Sequence, residues 1–385
     1  MQKIYAEEIY TGQGLYEQSY LLFDAEIKAI LSKEEGAKAQ AEELPRASII
    51  TPGFIDLHIH GSGGADVMDA TPEALKQMAS VLPKFGCTAF LATTMTQTPE
   101  NIEKALLNLK HYLAKQEQLR AVEPLAEILG AHLEGPFISK QRCGAQDPSL
   151  IIEPNIENCR FLEPYYDLIK IMVVAPEEDN DCNMIRRWTE MGIICSLGHT
   201  NASFEEAYEG YVAGLSHVTH CFNAMSPMHH RAPGAVTAAL TLPLNTEMIV
   251  DGEHLHPEIV KLICDLKERR RRILVTDAMR AAGLGECESE LGGQKVYVRD
   301  GRATLEDGTI AGSVLDLATA LRNTILFTGN SLGEVIEMLT YNPAAEIGIE
   351  DQKGQLKAGA DADFLIFDAE LNLEATYIGG KRHQG

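Results

Sequence analysis

His58 and His60 are separated by one residue and close an apolar run, Thr51-Pro-Gly-Phe-Ile-Asp-Leu-His-Ile-His, that reads as a buried strand. Positions i and i+2 of a strand share a face, so the two imidazoles converge on one side. The glycines that follow, up to Gly64, let the backbone turn away without a Cβ and leave room for a ligand. Four more polar residues stand at the ends of other apolar runs. Glu134 closes Ile128-Leu-Gly-Ala-His-Leu-Glu, His199 follows Ile193-Ile-Cys-Ser-Leu-Gly, His220 ends Ser216-His-Val-Thr-His, and Asp277 ends Ile273-Leu-Val-Thr-Asp. A carboxylate with two imidazoles is a common zinc or iron ligand set that leaves a position open for water. Singly, each residue has an ordinary alternative: a strand-end Glu or Asp can cap the next helix, and a strand-end His can satisfy a carbonyl. Their recurrence at the same end of successive strands points to one shared site.

Such a site needs elements that bring distant strand ends together. Eight strand-like runs alternate with helical patterns: Phe54–His60, Ala89–Thr94, Ile128–Glu134, Ile169–Ala175, Ile193–Leu197, His217–His220, Glu247–Val250 and Ile273–Thr276. Thr71-Pro72 reads as the cap and first residue of one helix, and Asn201-Ala-Ser203 precedes another. Eight alternations predict an α/β fold, a (β/α)8 TIM-type barrel, over residues 51–350, with an open doubly wound sheet as the alternative. In a barrel all these strand ends open on one face. Residues 1–50 and 351–385 carry short β-like runs broken by Gly and charged turns, which predicts a small β-sandwich domain built from both chain ends. Between Ser32 and Arg46 the Ala/Glu/Lys-rich sequence reads as an exposed loop or short helix. Asp300-Gly301 joins two β-like runs, a hairpin signal, and helices are expected around Val314–Phe327 and Leu332–Thr340.

Composition narrows the partners. A formal charge of −23 opposes binding to nucleic acid or to an anionic membrane, because the mean field repels phosphate. The one basic run, Lys267-Glu-Arg-Arg-Arg-Arg272, reads as a solvated helix end. No apolar run approaches the length of a bilayer span and the first residues lack a signal pattern, so a cytoplasmic protein is expected. The eight cysteines are scattered without a Cys-x-x-Cys pair, which predicts reduced thiols.

Six ordered motifs carry a family resemblance: Pro-Gly-Phe-Ile-Asp-Leu-His58-Ile-His60, His-Leu-Glu134-Gly-Pro-Phe, Leu-Gly-His199-Thr, Thr-His220-Cys-Phe-Asn-Ala-Met, Asp251-Gly-Glu-His254 and Val-Thr-Asp277-Ala. Together with the tail Gly354-Gln-Leu-Lys-Ala-Gly-Ala-Asp-Ala-Asp363, the chain resembles the amidohydrolase superfamily, and within it the N-acetylglucosamine-6-phosphate deacetylase family. The resemblance implies a divalent metal, zinc or iron, held by Glu134, His199 and His220, with water or hydroxide as nucleophile. Because His58 and His60 are present, it allows a second metal bridged by Glu134, hence one or two per subunit. It implies Asp277 as general base and acid, and a 6-phosphate held by Arg231 and His254. Asn223, Ala224 and the turn Ile310-Ala311-Gly312 would line the sugar or acyl side. Lys170 lies too early in its strand to bridge metals. At Gly144-Ala145-Gln146-Asp-Pro148 the family usually has His where this chain has Gln146, which donates a hydrogen bond but cannot become cationic. The expected reaction is hydrolysis of the acetyl group of N-acetylglucosamine 6-phosphate by a homodimer. The alternatives are a deacetylase of N-acetylgalactosamine 6-phosphate or another N-acyl amino sugar, and a cyclic amidase or deaminase of the same superfamily. A non-enzymatic assembly protein is disfavoured by the complete ligand set.

Overall fold

A computed structural model describes residues 1–384. Eight parallel strands succeed one another in the same order in the chain and in the sheet: Phe54–Ile59, Cys87–Thr94, Glu127–Leu133, Ile169–Val174, Ile194–Leu197, Leu215–Val218, Asn245–Met248 and Arg272–Leu274. All eight expected strands are present, each boundary within two residues. The first two are buried at every position, as strands covered on both faces must be. The helices between them carry local start signals. Thr71 accepts the Ala74 N–H at the head of Pro72–Val81, and Ser203 with Glu206 forms a capping box on Phe204–Ala213.

The last strand meets the first along an irregular seam, which closes the barrel and excludes the open sheet. Asp277 N–H donates to the His58 carbonyl at 2.9 Å, and the N–H groups of His60 and Gly61 both reach the Ala278 carbonyl at 2.9 and 3.0 Å. Fully buried Asp56 completes the seam: Oδ1 accepts the N–H of His58 (3.2 Å) and of Thr276 (3.3 Å), and Oδ2 accepts the Thr276 hydroxyl (2.6 Å).

Both chain ends build a second sheet. Its order runs Lys381–Arg382, Leu373–Ile378, Phe364–Phe367, Ala47–Pro52, Gln2–Tyr10, Leu15–Phe23, Ile27–Ser32. Phe23 and Phe364 lie three strands apart in that order, about 14 Å in a flat sheet, yet their ring centroids are 4.9 Å apart. The sheet is therefore folded over on itself, as a sandwich. Alternation divides its side chains between two cores: Ile50, Phe364 and Ile366 pack inside the sandwich, whereas Ile49, Leu365 and Phe367 pack against the barrel. The Ala/Glu/Lys-rich stretch forms a short helix, Lys33–Lys38, opened by a Ser32–Glu35 capping box.

Between the eighth strand and the helix Leu317–Thr328 stands a three-stranded antiparallel flap, Cys287–Leu291, Gln294–Arg299 and Arg302–Thr304. Asp300 and Gly301 make its expected turn with φ of 50° and 76°, the left-handed pair that such a hairpin requires. Its first strand was not expected. The basic run is only partly a solvated helix end. Lys267 is buried and donates to the Ala239 and Leu242 carbonyls (both 2.8 Å), while Arg269 pairs with Glu337 at 2.6 Å. Free main-chain carbonyls at the end of the helix Ala235–Thr241 attract the first cation, and a buried carboxylate attracts the second. All eight cysteines are free. Among the described residues, no helix is long and apolar enough to cross a membrane.

Candidate metal and catalytic site

The C-terminal ends of the strands deliver the chemistry. His58 lies within the first strand and His60 just beyond it; Glu134 follows the third strand directly, and His199, His220 and Asp277 lie two or three residues past the fifth, sixth and eighth. All six are buried. His199, His220 and Asp277 have φ of 46°, 30° and 50°, a left-handed conformation that costs a non-glycine residue on the order of 1–3 kcal/mol. Three strained residues at one barrel mouth mark a place where orientation outweighs local stability.

The side chains converge on Glu134. Its Oε1 lies 2.9 Å from His220 Nε2, 3.2 Å from His199 Nε2 and 3.4 Å from His58 Nε2, and its Oε2 lies 3.4 Å from His60 Nε2. Asp277 Oδ1 is 3.1 Å from His60 Nε2 and 3.4 Å from His58 Nε2. His199 and His220 also bring their Nε2 atoms within 3.0 Å of each other. This crowd fits a cation. His199 Nδ1 donates to the Arg142 carbonyl (2.9 Å), so in the neutral ring Nε2 offers a lone pair to another nitrogen and to a carboxylate. The Nε2 of His58 has no hydrogen-bond partner among the described residues. Donors about 3 Å apart suit ligands about 2 Å from a common centre. Three such groups form among the described residues: Glu134–His199–His220 and His58–His60–Asp277 beneath the cavity, and His58–His132–Glu247 behind them.

The electrostatics agree. Burial alone would lower His58, yet Asp277, Glu247 and Glu134 raise it to about 9. Burial pushes Asp277 up, but the His58 and His60 rings hold it below the usual carboxylate range. Glu134 is likewise held far below, against burial, by His58 and His199. The site thus favours positive charge and keeps its carboxylates ionised.

A cavity of about 270 Å³ opens over these ligands, lined by Ala145, Gln146, Asn223, Ala224, His254, Ile310 and Gly312 among the expected residues. Gln146 Oε1 accepts the Thr96 N–H at 2.8 Å, which fixes the amide so that Nε2 donates to Glu134 Oε2, also at 2.8 Å. His254 Nδ1 bonds Asp251 at 2.6 Å, and this carboxylate raises its pKa against burial. Two expected residues stand apart. Ala311 is fully buried beneath the flap in a cluster with Met279 and Val296, behind the turn rather than on it. Arg231 does not join His254 within the chain: its turn is exposed and its guanidinium rests on His230 at 2.6 Å. Met95, Leu291 and Thr309 line the cavity without having been singled out, because an apolar residue or a threonine carries no signal until the fold places it.

The chain matches the amidohydrolase family over residues 49–383. It is 41% identical over 361 residues to the N-acetylglucosamine-6-phosphate deacetylase of Bacillus subtilis strain 168, covering 93% of this chain and 90% of that one. It is 32% identical to the N-acetylgalactosamine-6-phosphate deacetylase of Escherichia coli O157:H7, covering 90% of this chain and 92% of that one. The crystal structure of N-acetylglucosamine-6-phosphate deacetylase from Pasteurella multocida superposes with a TM-score of 0.92 at 30% identity, covering 99% of both chains.

Proposed function

The chain belongs to the amidohydrolase family, and from that premise we infer that it hydrolyses the N-acetyl group of N-acetylglucosamine 6-phosphate to glucosamine 6-phosphate and acetate. What carries the reading is the convergence of Glu134, His199, His220, His58, His60 and Asp277 beneath one cavity. Glu134, His199 and His220 would hold one divalent cation and His58 with His60 a second; zinc or iron suits these nitrogen and oxygen ligands. When bound, the cation supplies Lewis acidity, lowering the pKa of water from 15.7 towards ~7 and polarising the amide carbonyl.

The chain's own residues do the rest. Asp277, ionised at neutral pH, takes the proton of the attacking water at its carboxylate and returns it to the sugar nitrogen, since an amine leaves well only when protonated. Gln146, its amide fixed by Thr96, offers the acyl oxygen an uncharged donor at Nε2. His254, its pKa raised against burial by the Asp251 carboxylate, faces the cavity as a donor for the 6-phosphate. Ile310, Leu291 and Met95 give the cavity an apolar wall that excludes water. A homodimer in the cytoplasm is the expected form of such an enzyme.

The test is acetate release by the cation-loaded protein from N-acetylglucosamine 6-phosphate, N-acetylgalactosamine 6-phosphate and both unphosphorylated sugars. Preference for the glucosamine phosphate is expected. Preference for the galactosamine phosphate would move the specificity to the other epimer, and indifference to the phosphate would remove the role given to His254.

A further inference from the structure

Behind the ligands lies a buried carboxylate that the reaction above does not use. Glu247, in the seventh strand, is fully buried and receives three N–H groups. His58 Nδ1 lies 3.0 Å from Oε2, the His220 main-chain N–H 3.1 Å from Oε2, and His217 Nε2 3.0 Å from Oε1. His217 in turn sets Nδ1 at 2.9 Å from Glu346 Oε1. A carboxylate only accepts, so both rings present N–H to Glu247.

The two imidazoles differ in what faces the second ring nitrogen. With a carboxylate on each nitrogen, His217 is held as an imidazolium: burial would lower it, but Glu346 and Glu247 raise it to about 10. His58 has a carboxylate fixing Nδ1, which leaves Nε2 directed at Glu134 and Asp277. Meanwhile the same oxygen holds the strained main chain at His220, whose φ of 30° aims its own Nε2 at Glu134 from the other side. One oxygen atom thereby braces one residue from each of the two ligand groups beneath the cavity.

We propose that Glu247, seated by His217 and Glu346, is the positioning residue of this site, fixing the Nδ1–H of His58 and the main-chain N–H of His220 so that both Nε2 atoms face Glu134. The proposal rests on the metal reading above. A carboxylate or carbonyl behind a ligand imidazole fixes its tautomer and ring orientation, and its loss typically costs 10–100-fold in metal affinity.

The experiment is a cobalt(II) titration of the stripped protein, read by visible absorption, for wild type and Glu247→Gln. Glutamine lacks the charge that strengthens His58 as a ligand through its Nδ1–H, and its single acceptor oxygen leaves one of the three converging N–H groups facing an amide NH2. The variant is expected to bind cobalt(II) 10–100-fold more weakly, with an altered spectrum, a lower kcat and an unchanged KM. Wild-type affinity and spectrum in folded Glu247→Gln would overturn the proposal alone; wild type that takes up no cobalt(II) would overturn the metal reading with it. Should Glu247→Gln not fold, long-range ¹⁵N spectra of histidine-labelled, zinc-loaded wild type decide. A proton on His58 Nδ1 is expected, and a proton on its Nε2 overturns the assignment.

Discussion

Asp277 has two neighbours that matter, His58 and His60, and one assigned task. Asp277→Asn keeps the shape and removes the base, so kcat should fall by about 10²–10⁴-fold with KM within a few-fold. Steady-state kinetics beside a measurement of bound cation check this; near-wild-type turnover would remove Asp277 from the proton path. His217 yields a pH prediction. Its pKa is raised from 6.5 to about 10, so its stabilisation is complete below pH 6.5 and is lost as pH rises to about 10. The melting-temperature gap between wild type and His217→Gln should therefore be widest at pH 6 and narrow by pH 10, and a constant gap would argue against an imidazolium. At this scale the ligands were legible because a polar residue ending an apolar run is incongruous. His217 and Glu247 open strand-like runs of their own, and their job shows only when the closed barrel brings the first strand across its interior to the sixth and seventh. Arg231 shows the reverse: its motif is plain, but no local pattern says which way an exposed turn points.

The eight strands could be read from apolar runs alone, since strands buried on both faces advertise themselves. The seam could not. Asp56 in Phe-Ile-Asp-Leu looks like a flaw in a strand until Thr276 and His58 stand beside it. Nor could the flap's first strand, Cys287–Leu291, in which exposed Glu288 and Glu290 alternate with half-buried Cys287 and Ser289 and only Leu291 is buried. The flap meets the barrel through Gln294 Nε2, which donates to the Ala145 carbonyl, and through Gln97, which donates to the Gly292 carbonyl at 3.1 Å. Gln294→Ala removes the first contact beside Gln146. We expect KM to rise several-fold with kcat little changed, and faster amide exchange over 287–304. Unchanged exchange and kinetics would show that the flap is held by its apolar cluster alone.

Across the whole molecule, the sandwich and the barrel share a charged fastening. Lys353 is buried and its Nζ reaches Asp361 (2.6 Å), Asp363 (2.7 Å) and Glu127 (2.9 Å), the last at the start of the third barrel strand. Lys353→Met leaves buried Asp363 without a counter-charge, while Glu127 keeps Arg120 at 2.6 Å, at a cost of about 3–5 kcal/mol. Denaturant unfolding should show that loss while the folded variant keeps its turnover at 25 °C. A loss below about 1 kcal/mol would place the pair among exposed salt bridges instead. That both chain ends form one unit was legible from their shared β-like composition, but the division of Ile49 and Ile50 between two cores was not, because alternation does not name the partner. The pairing of Ile50 with Ile366 also sets a timetable. A ribosome adding 5–20 residues per second needs on the order of tens of seconds to pass from one to the other. For that interval the nascent strand Ala47–Pro52 waits with one edge open and apolar side chains on both faces, so a transcript cut short before Phe364 should yield chains that aggregate or occupy chaperones rather than a smaller soluble enzyme.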